Sequence, residues 1–118
     1  MSKAATRSRQ AVVERVLRGP GTASQAARRA AFDNQGVDAP ARALVDTIAR
    51  RAWMVTDADV AGTKAAGVSE NQIFELAVCA ALGQATRQIE SALAALKAAT
   101  TGDIGIHDDA TIVRGLAR

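Results

Sequence analysis

Two capped helices joined by a glycine form the part of this sequence that most constrains its fold. Thr56-Asp-Ala-Asp59 is close to a capping box, with Asp in place of the usual Glu or Gln, and predicts a short helix that Gly67 ends. Ser69-Glu-Asn-Gln72 is a full capping box, and the helix that it opens is apolar on almost every side from Ile73 to Leu82. A helix without a polar face lies in a core or between subunits. The segment therefore predicts packed helices that self-associate.

Helical periodicity extends through most of the remaining chain. We expect helices over residues 8–18, 23–33 and 39–53, with Thr22 capping the second and Asp38 the third. A further helix follows Gly83, which we expect to interrupt the apolar helix before it. The sequence thus predicts an all-α fold, a single helical domain of about five or six helices over residues 8–99. We expect a flexible N-terminus over residues 1–7 and a polar tail over residues 100–118, with room for one short helix.

Composition limits the function classes. The chain has 118 residues, 28 of them alanine, so it predicts close helix contacts around a thin core that partner subunits supplement. A net charge of +3 is spread among mixed charges except in the basic N-terminal third, so nucleic-acid binding is the weaker interpretation. No apolar run reaches the roughly 18 residues of a membrane span, and no signal peptide is evident. We expect no membrane association and a cytoplasmic location.

Residues 42–96 resemble the helical core of the carboxymuconolactone decarboxylase and alkylhydroperoxidase D-like proteins. The resemblance is carried by the runs Val55-Thr-Asp-Ala-Asp-Val60, Ala65-Ala-Gly-Val-Ser69 and Gln72-Ile-Phe-Glu-Leu76, followed by an alanine-rich helix. It implies the helical fold of that family, a bacterial source and a homo-oligomer, since members are commonly dimers, trimers or hexamers.

The redox chemistry of that family is missing from this sequence. Redox members carry two cysteines three residues apart and a histidine four residues later, just before the glycine turn. Counted back from Gly67, these positions hold Ala52, Val55 and Asp59. Neither alanine nor valine can form a thiolate, so we do not expect dithiol peroxidase activity, and whether the protein is an enzyme stays open.

A few residues remain as candidates for a site. Glu75 is the candidate catalytic acid, with His107 in the polar tail a weaker one, and Trp53, Met54 and Glu75 are the candidate ligand-binding residues. Ordinary structural roles compete with each of these assignments. Cys79, flanked by alanine and valine, is expected to be a small buried hydrophobe. No metal-ligand spacing or phosphate loop is present, so we expect neither a metal nor a cofactor.

Three hypotheses about function follow from these observations. The first is a non-redox member of the family, an oligomer that binds a small molecule or acts on it by acid–base chemistry. The second is an interaction or scaffold protein that keeps the fold for assembly. The third is a basic nucleic-acid-binding module, which the apolar helix from Ile73 to Leu82 disfavours because a helix in the major groove needs polar side chains.

Overall fold

The structure, a computed structural model, describes residues 2–105 and the side chains of residues 2–101. It confirms the predicted all-α fold, and no strand occurs within the described range. The elements are α1 (Lys3–Arg18), α2 (Gln25–Asp33), α3 (Ala39–Arg51), a 3₁₀ turn (Ala52–Met54), α4 (Asp57–Ala65) and α5 (Glu70–Gly105). None of the described helices combines the length and hydropathy needed to cross a bilayer.

The chain groups into two compact units, residues 1–85 and residues 86–118. The first unit contains α1 to α4 and the N-terminal part of α5, and the described part of the second is helical. The sequence predicts one helical domain over residues 8–99, and the extent of that domain stays a prediction. Helix α5 also continues to Gly105, so the polar tail predicted from residue 100 begins inside a helix.

Both predicted capping boxes are confirmed. The Thr56 hydroxyl accepts a hydrogen bond from the Asp59 backbone N–H at 3.2 Å, and the Thr56 N–H donates to the Asp59 carboxylate at 3.0 Å. Ser69 and Gln72 make the same reciprocal pair at 3.1 and 3.0 Å. Between the two boxes, Gly67 adopts a positive φ of 106°, which favours glycine. Local hydrogen bonding therefore fixes where α4 and α5 begin.

Two predicted helix starts were wrong. Helix α1 begins at Lys3 rather than at residue 8, because the Ser2 hydroxyl accepts from the Ala5 N–H at 3.1 Å and supplies an earlier cap. Residues 3–7, predicted as a flexible terminus, are therefore helical. Helix α2 is capped by Ser24 rather than Thr22, since the Ser24 hydroxyl accepts from the Ala27 N–H at 3.0 Å.

Gly83 does not interrupt α5, contrary to the prediction. The helix runs through it without a break, and the residue is buried. A Cβ placed on Gly83 would collide with the backbone carbonyl of Phe32, at the end of α2. The close approach of the two helix backbones therefore requires glycine at this position. That packing offsets the free-energy cost of a glycine inside a helix.

The core of the first unit joins α1, α2, α3 and α5. Its members are small and medium apolar side chains: Leu17, Ala23, Ala31, Phe32, Val37, Ala41, Val45, Leu76, Cys79 and Ala80. Helix α5 contributes one face to this core, through Leu76, Cys79 and Ala80. Another side of the same helix points to solvent, and there Phe74 is 69% exposed and Val78 37% exposed. The helix that the sequence predicted to be apolar on almost every side thus packs into the core on one side and faces solvent on another.

Candidate functional site

Glu75 lies on α5 opposite the segment that leads into α2. Its Oε2 accepts a hydrogen bond from the backbone N–H of Thr22 and its Oε1 from that of Ala23, both at 2.8 Å. These two N–H groups belong to the loop immediately before the Ser24 cap, outside the helical hydrogen bonds of α2. A carboxylate at this position also suits the positive end of the helix dipole. Glu75 therefore joins the loop before α2 to α5.

The electrostatics of Glu75 follow from these contacts. The backbone hydrogen bonds from Thr22 and Ala23 hold the pKa of Glu75 below its ordinary value, more than desolvation raises it, and the positive charge of Arg28 adds to the lowering. Gly21 lies so close that a Cβ there would be 2.8 Å from Oε1. A carboxylate that is ionised and already accepts two hydrogen bonds is a poor general acid at neutral pH.

Arg28 is a second charged residue at this junction, and sequence reasoning missed it. It is only 5% exposed, and its Nη1 donates to the backbone carbonyls of Val16 at 3.1 Å and Gly19 at 2.7 Å. Those carbonyls belong to the end of α1, where acceptors lack partners within the helix. The Nε of Arg28 is buried and makes no hydrogen bond within the described structure. A signal was available, because Arg28 lies three and four residues before the buried Ala31 and Phe32, on the same helix face.

Arg28 and Glu75 together line a small pocket of roughly 150 Å³ between α1 and α5. The exposed Arg15 adds a second positive charge at this pocket. The remaining walls are apolar: Val16, Pro20, Phe74 and Val78. The pocket thus has two cationic side chains, one carboxylate whose oxygens already accept hydrogen bonds, and an apolar wall.

A larger open cavity of about 510 Å³ lies elsewhere in the first unit. It is lined by the start of α2, the start of α3 and the Gly67–Val68 turn, with Gln72 and Leu76 from α5. Its lining is mostly alanine and other apolar side chains, and Asp38 contributes a carboxylate that makes no capping hydrogen bond. The volume lies within the range of small-molecule sites.

The structure does not bring Trp53 and Met54 together with Glu75 in one pocket. Both lie in the 3₁₀ turn after α3 and are largely exposed, Trp53 at 80% and Met54 at 54%. Neither residue lines the pocket that contains Glu75. His107, the weaker catalytic candidate, lies outside the described residues.

The three positions of the redox motif have ordinary structural roles. Ala52 accepts a backbone hydrogen bond from Val55 at 3.3 Å, and the Asp59 carboxylate is held in its capping box. Cys79 is fully buried, and desolvation raises the pKa of its thiol, which keeps it in the unreactive protonated form. Among the described residues, no three His, Cys, Asp or Glu side chains cluster as metal ligands.

Comparison with protein-family models, with curated proteins and with solved structures found no match to this chain. The resemblance to the carboxymuconolactone decarboxylase and alkylhydroperoxidase D-like proteins therefore stays a prediction.

Proposed function

We propose that this protein is a helical interaction protein that assembles with copies of itself through the exposed apolar strip on α5. The strip consists of Phe74, Val78 and Ala81, which follow one another at helical spacings of four and three residues. An exposed large aromatic residue next to an exposed valine on one helix face is the observation that carries the proposal.

The charge pattern of α5 supports a second copy as the partner. Between residues 71 and 86 the helix has one charged residue, Glu75, and its carboxylate is occupied by the backbone of α2. The strip itself therefore brings no unpaired charge to a contact with the same strip of another copy, and the exposed Arg15 lies beside it. Ala81 adds a small side chain that lets helices approach closely.

The composition of the core supports the same conclusion. Six of the thirteen buried apolar residues are alanine or cysteine within the described chain, and alanine contributes little burial. Assembly through Phe74 and Val78 would add apolar area that the isolated chain leaves in water. We therefore favour a cytoplasmic homo-oligomer, and we propose that it is a non-redox relative of the carboxymuconolactone decarboxylase and alkylhydroperoxidase D-like proteins that keeps the helices for assembly.

Small-molecule binding is the second candidate, and the cavity of about 510 Å³ favours it. Acid–base catalysis by Glu75 has less support, because both of its oxygens already accept backbone hydrogen bonds. Native mass spectrometry of the protein purified from its host tests this candidate. A reproducible extra small mass supports ligand binding, and a protein mass without additions in every preparation counts against it.

The test of the interaction proposal is light scattering coupled to size-exclusion chromatography over a range of protein concentrations. We expect an oligomer that Phe74→Ser and Ala81→Arg dissociate while the circular dichroism spectrum keeps its helical form. Trp53→Ser is the matched control, since it removes another exposed aromatic side chain away from the strip. A wild-type protein that stays monomeric at all concentrations, or an oligomer that only Trp53→Ser dissociates, contradicts the proposal.

A further inference from the structure

Arg28 has a buried positive charge, and the described residues satisfy only some of its hydrogen-bond donors. A guanidinium has five N–H donors, and the two hydrogen bonds of Arg28 both come from Nη1 and end on neutral carbonyls. Its Nε is buried without a partner. The acid at the same pocket is Glu75, whose two oxygens accept from Thr22 and Ala23 and which acts on Arg28 through charge rather than through a direct hydrogen bond. A buried charge in this situation is stabilised by an additional anion.

The pocket beside Arg28 has the size and charge for such an anion. Its volume of roughly 150 Å³ leaves room for a carboxylate with a few carbon atoms. Arg15 stands at the same pocket, is exposed, and has no ion pair or hydrogen bond from its side chain to the described residues. Two arginines against one glutamate leave a single net positive charge, which one carboxylate neutralises.

The walls of the pocket define the rest of the ligand. Val16 and Pro20 lie on one side, and Phe74 and Val78 from α5 complete the lining. These side chains offer no hydrogen-bonding groups, so they suit an aliphatic stem that carries the carboxylate toward the arginines. We infer that this pocket is a binding site for a carboxylate on a short aliphatic stem.

Two sources can supply that group, a free short-chain acid or a glutamate or aspartate side chain of a second copy. The second source rests on the proposed self-association, because Phe74 and Val78 belong both to the pocket and to the α5 strip. The first source does not depend on it. The experiment therefore measures ligand binding and assembly separately.

Butyrate is the probe, and butyramide, which has the same shape without the charge, is its control. We follow both titrations by NMR of the backbone amides and arginine side chains of the full chain. We expect butyrate to shift the signals of Arg15, Arg28 and Phe74 in a saturable manner and butyramide to leave them unchanged. Arg15→Gln should weaken butyrate binding about tenfold, since one charge-assisted contact is lost. Arg18→Gln is the matched control, because Arg18 is an exposed arginine of the same helix that pairs with Glu14 at 3.1 Å.

Assembly provides the second measurement. If the second copy supplies the carboxylate, Arg15→Gln raises the dissociation constant of the oligomer about tenfold, and Arg18→Gln leaves it unchanged. If a free acid is the ligand, butyrate binds and the oligomer mass is unaffected by it. The inference is overturned when butyrate gives no saturable shift and Arg15→Gln also leaves assembly unchanged. A monomeric protein that binds butyrate would remove the proposed function and leave the carboxylate site standing.

Discussion

The Oε1 of Glu75 lies 2.8 Å from the backbone nitrogen of Ala23, a residue 52 positions earlier in the chain. The neighbouring Thr22 N–H donates to the other oxygen at the same distance. One side chain of α5 thus satisfies two backbone donors of the loop that leads into α2. The acid that the sequence suggested for a catalytic or binding site instead joins two segments that are far apart in the chain.

Replacing Glu75 with glutamine should lower the free energy of unfolding by about 1–2 kcal/mol, because an amide has one acceptor oxygen for two N–H donors. Urea unfolding followed by circular dichroism measures this change. Glu14→Gln, which alters an exposed ion pair with Arg18, is the control and should cost under about 0.5 kcal/mol. Equal losses in the two variants would contradict the role of Glu75 as the acceptor of two backbone hydrogen bonds.

The contribution of Glu75 should also depend on pH. Its folded pKa is lowered from the ordinary value of 4.5, so the stabilisation is fully present above pH 4.5 and is lost as the pH falls through the folded pKa. The difference in unfolding free energy between wild type and Glu75→Gln should therefore be constant near neutrality and shrink in acid. A difference that grows as the pH falls would have the wrong sign for this mechanism.

Gly83→Ala should destabilise the protein by about 1–3 kcal/mol, because its methyl group would meet the Phe32 carbonyl. Gly62→Ala provides the matched control, since Gly62 lies inside α4 and a Cβ there meets nothing within 4 Å. That substitution should stabilise by about 0.5–1 kcal/mol through helix propensity. Thermal unfolding of both variants measures the contrast, and a stabilised Gly83→Ala would show that the two helices do not approach closely.

Cys79 should not react with thiol reagents in the folded protein. Its side chain is fully buried, and burial raises the pKa of its thiol, so both access and thiolate formation are suppressed. Labelling with Ellman's reagent should be negligible in buffer and complete after unfolding in guanidinium chloride. Rapid labelling of the folded chain would contradict this prediction and show that the thiol is reactive.

Ser69→Ala should cost about 1 kcal/mol, because it removes the hydroxyl that accepts from the Gln72 N–H at 3.1 Å. Asp38→Ala is a useful comparison, since Asp38 occupies the corresponding position before α3 without a side-chain capping bond. The loss of unfolding free energy caused by Asp38→Ala should be less than half of the loss caused by Ser69→Ala. Urea unfolding of the two variants tests the ranking, and the reverse order would contradict it.

Local signals explain why part of this fold was predictable. The capping boxes at Thr56 and Ser69 act over three residues, so both were found in the sequence. Gly83 and Glu75 were misread or left open because their partners, Phe32 and Ala23, lie more than fifty residues away. No local pattern reports which backbone a glycine or carboxylate will meet. The same limit applies to Phe74, since periodicity alone could not tell the core side of α5 from its exposed side.

The span between Ala23 and Glu75 has a consequence for how the chain is made. Thr22 and Ala23 are synthesised 53 and 52 residues before Glu75, whose carboxylate accepts from their N–H groups. At a synthesis rate of about 5–20 residues per second, roughly 3–10 seconds pass between the synthesis of Thr22 and that of Glu75. During that interval the segment before α2 lacks its hydrogen bonds to α5, and water takes their place on the two N–H groups.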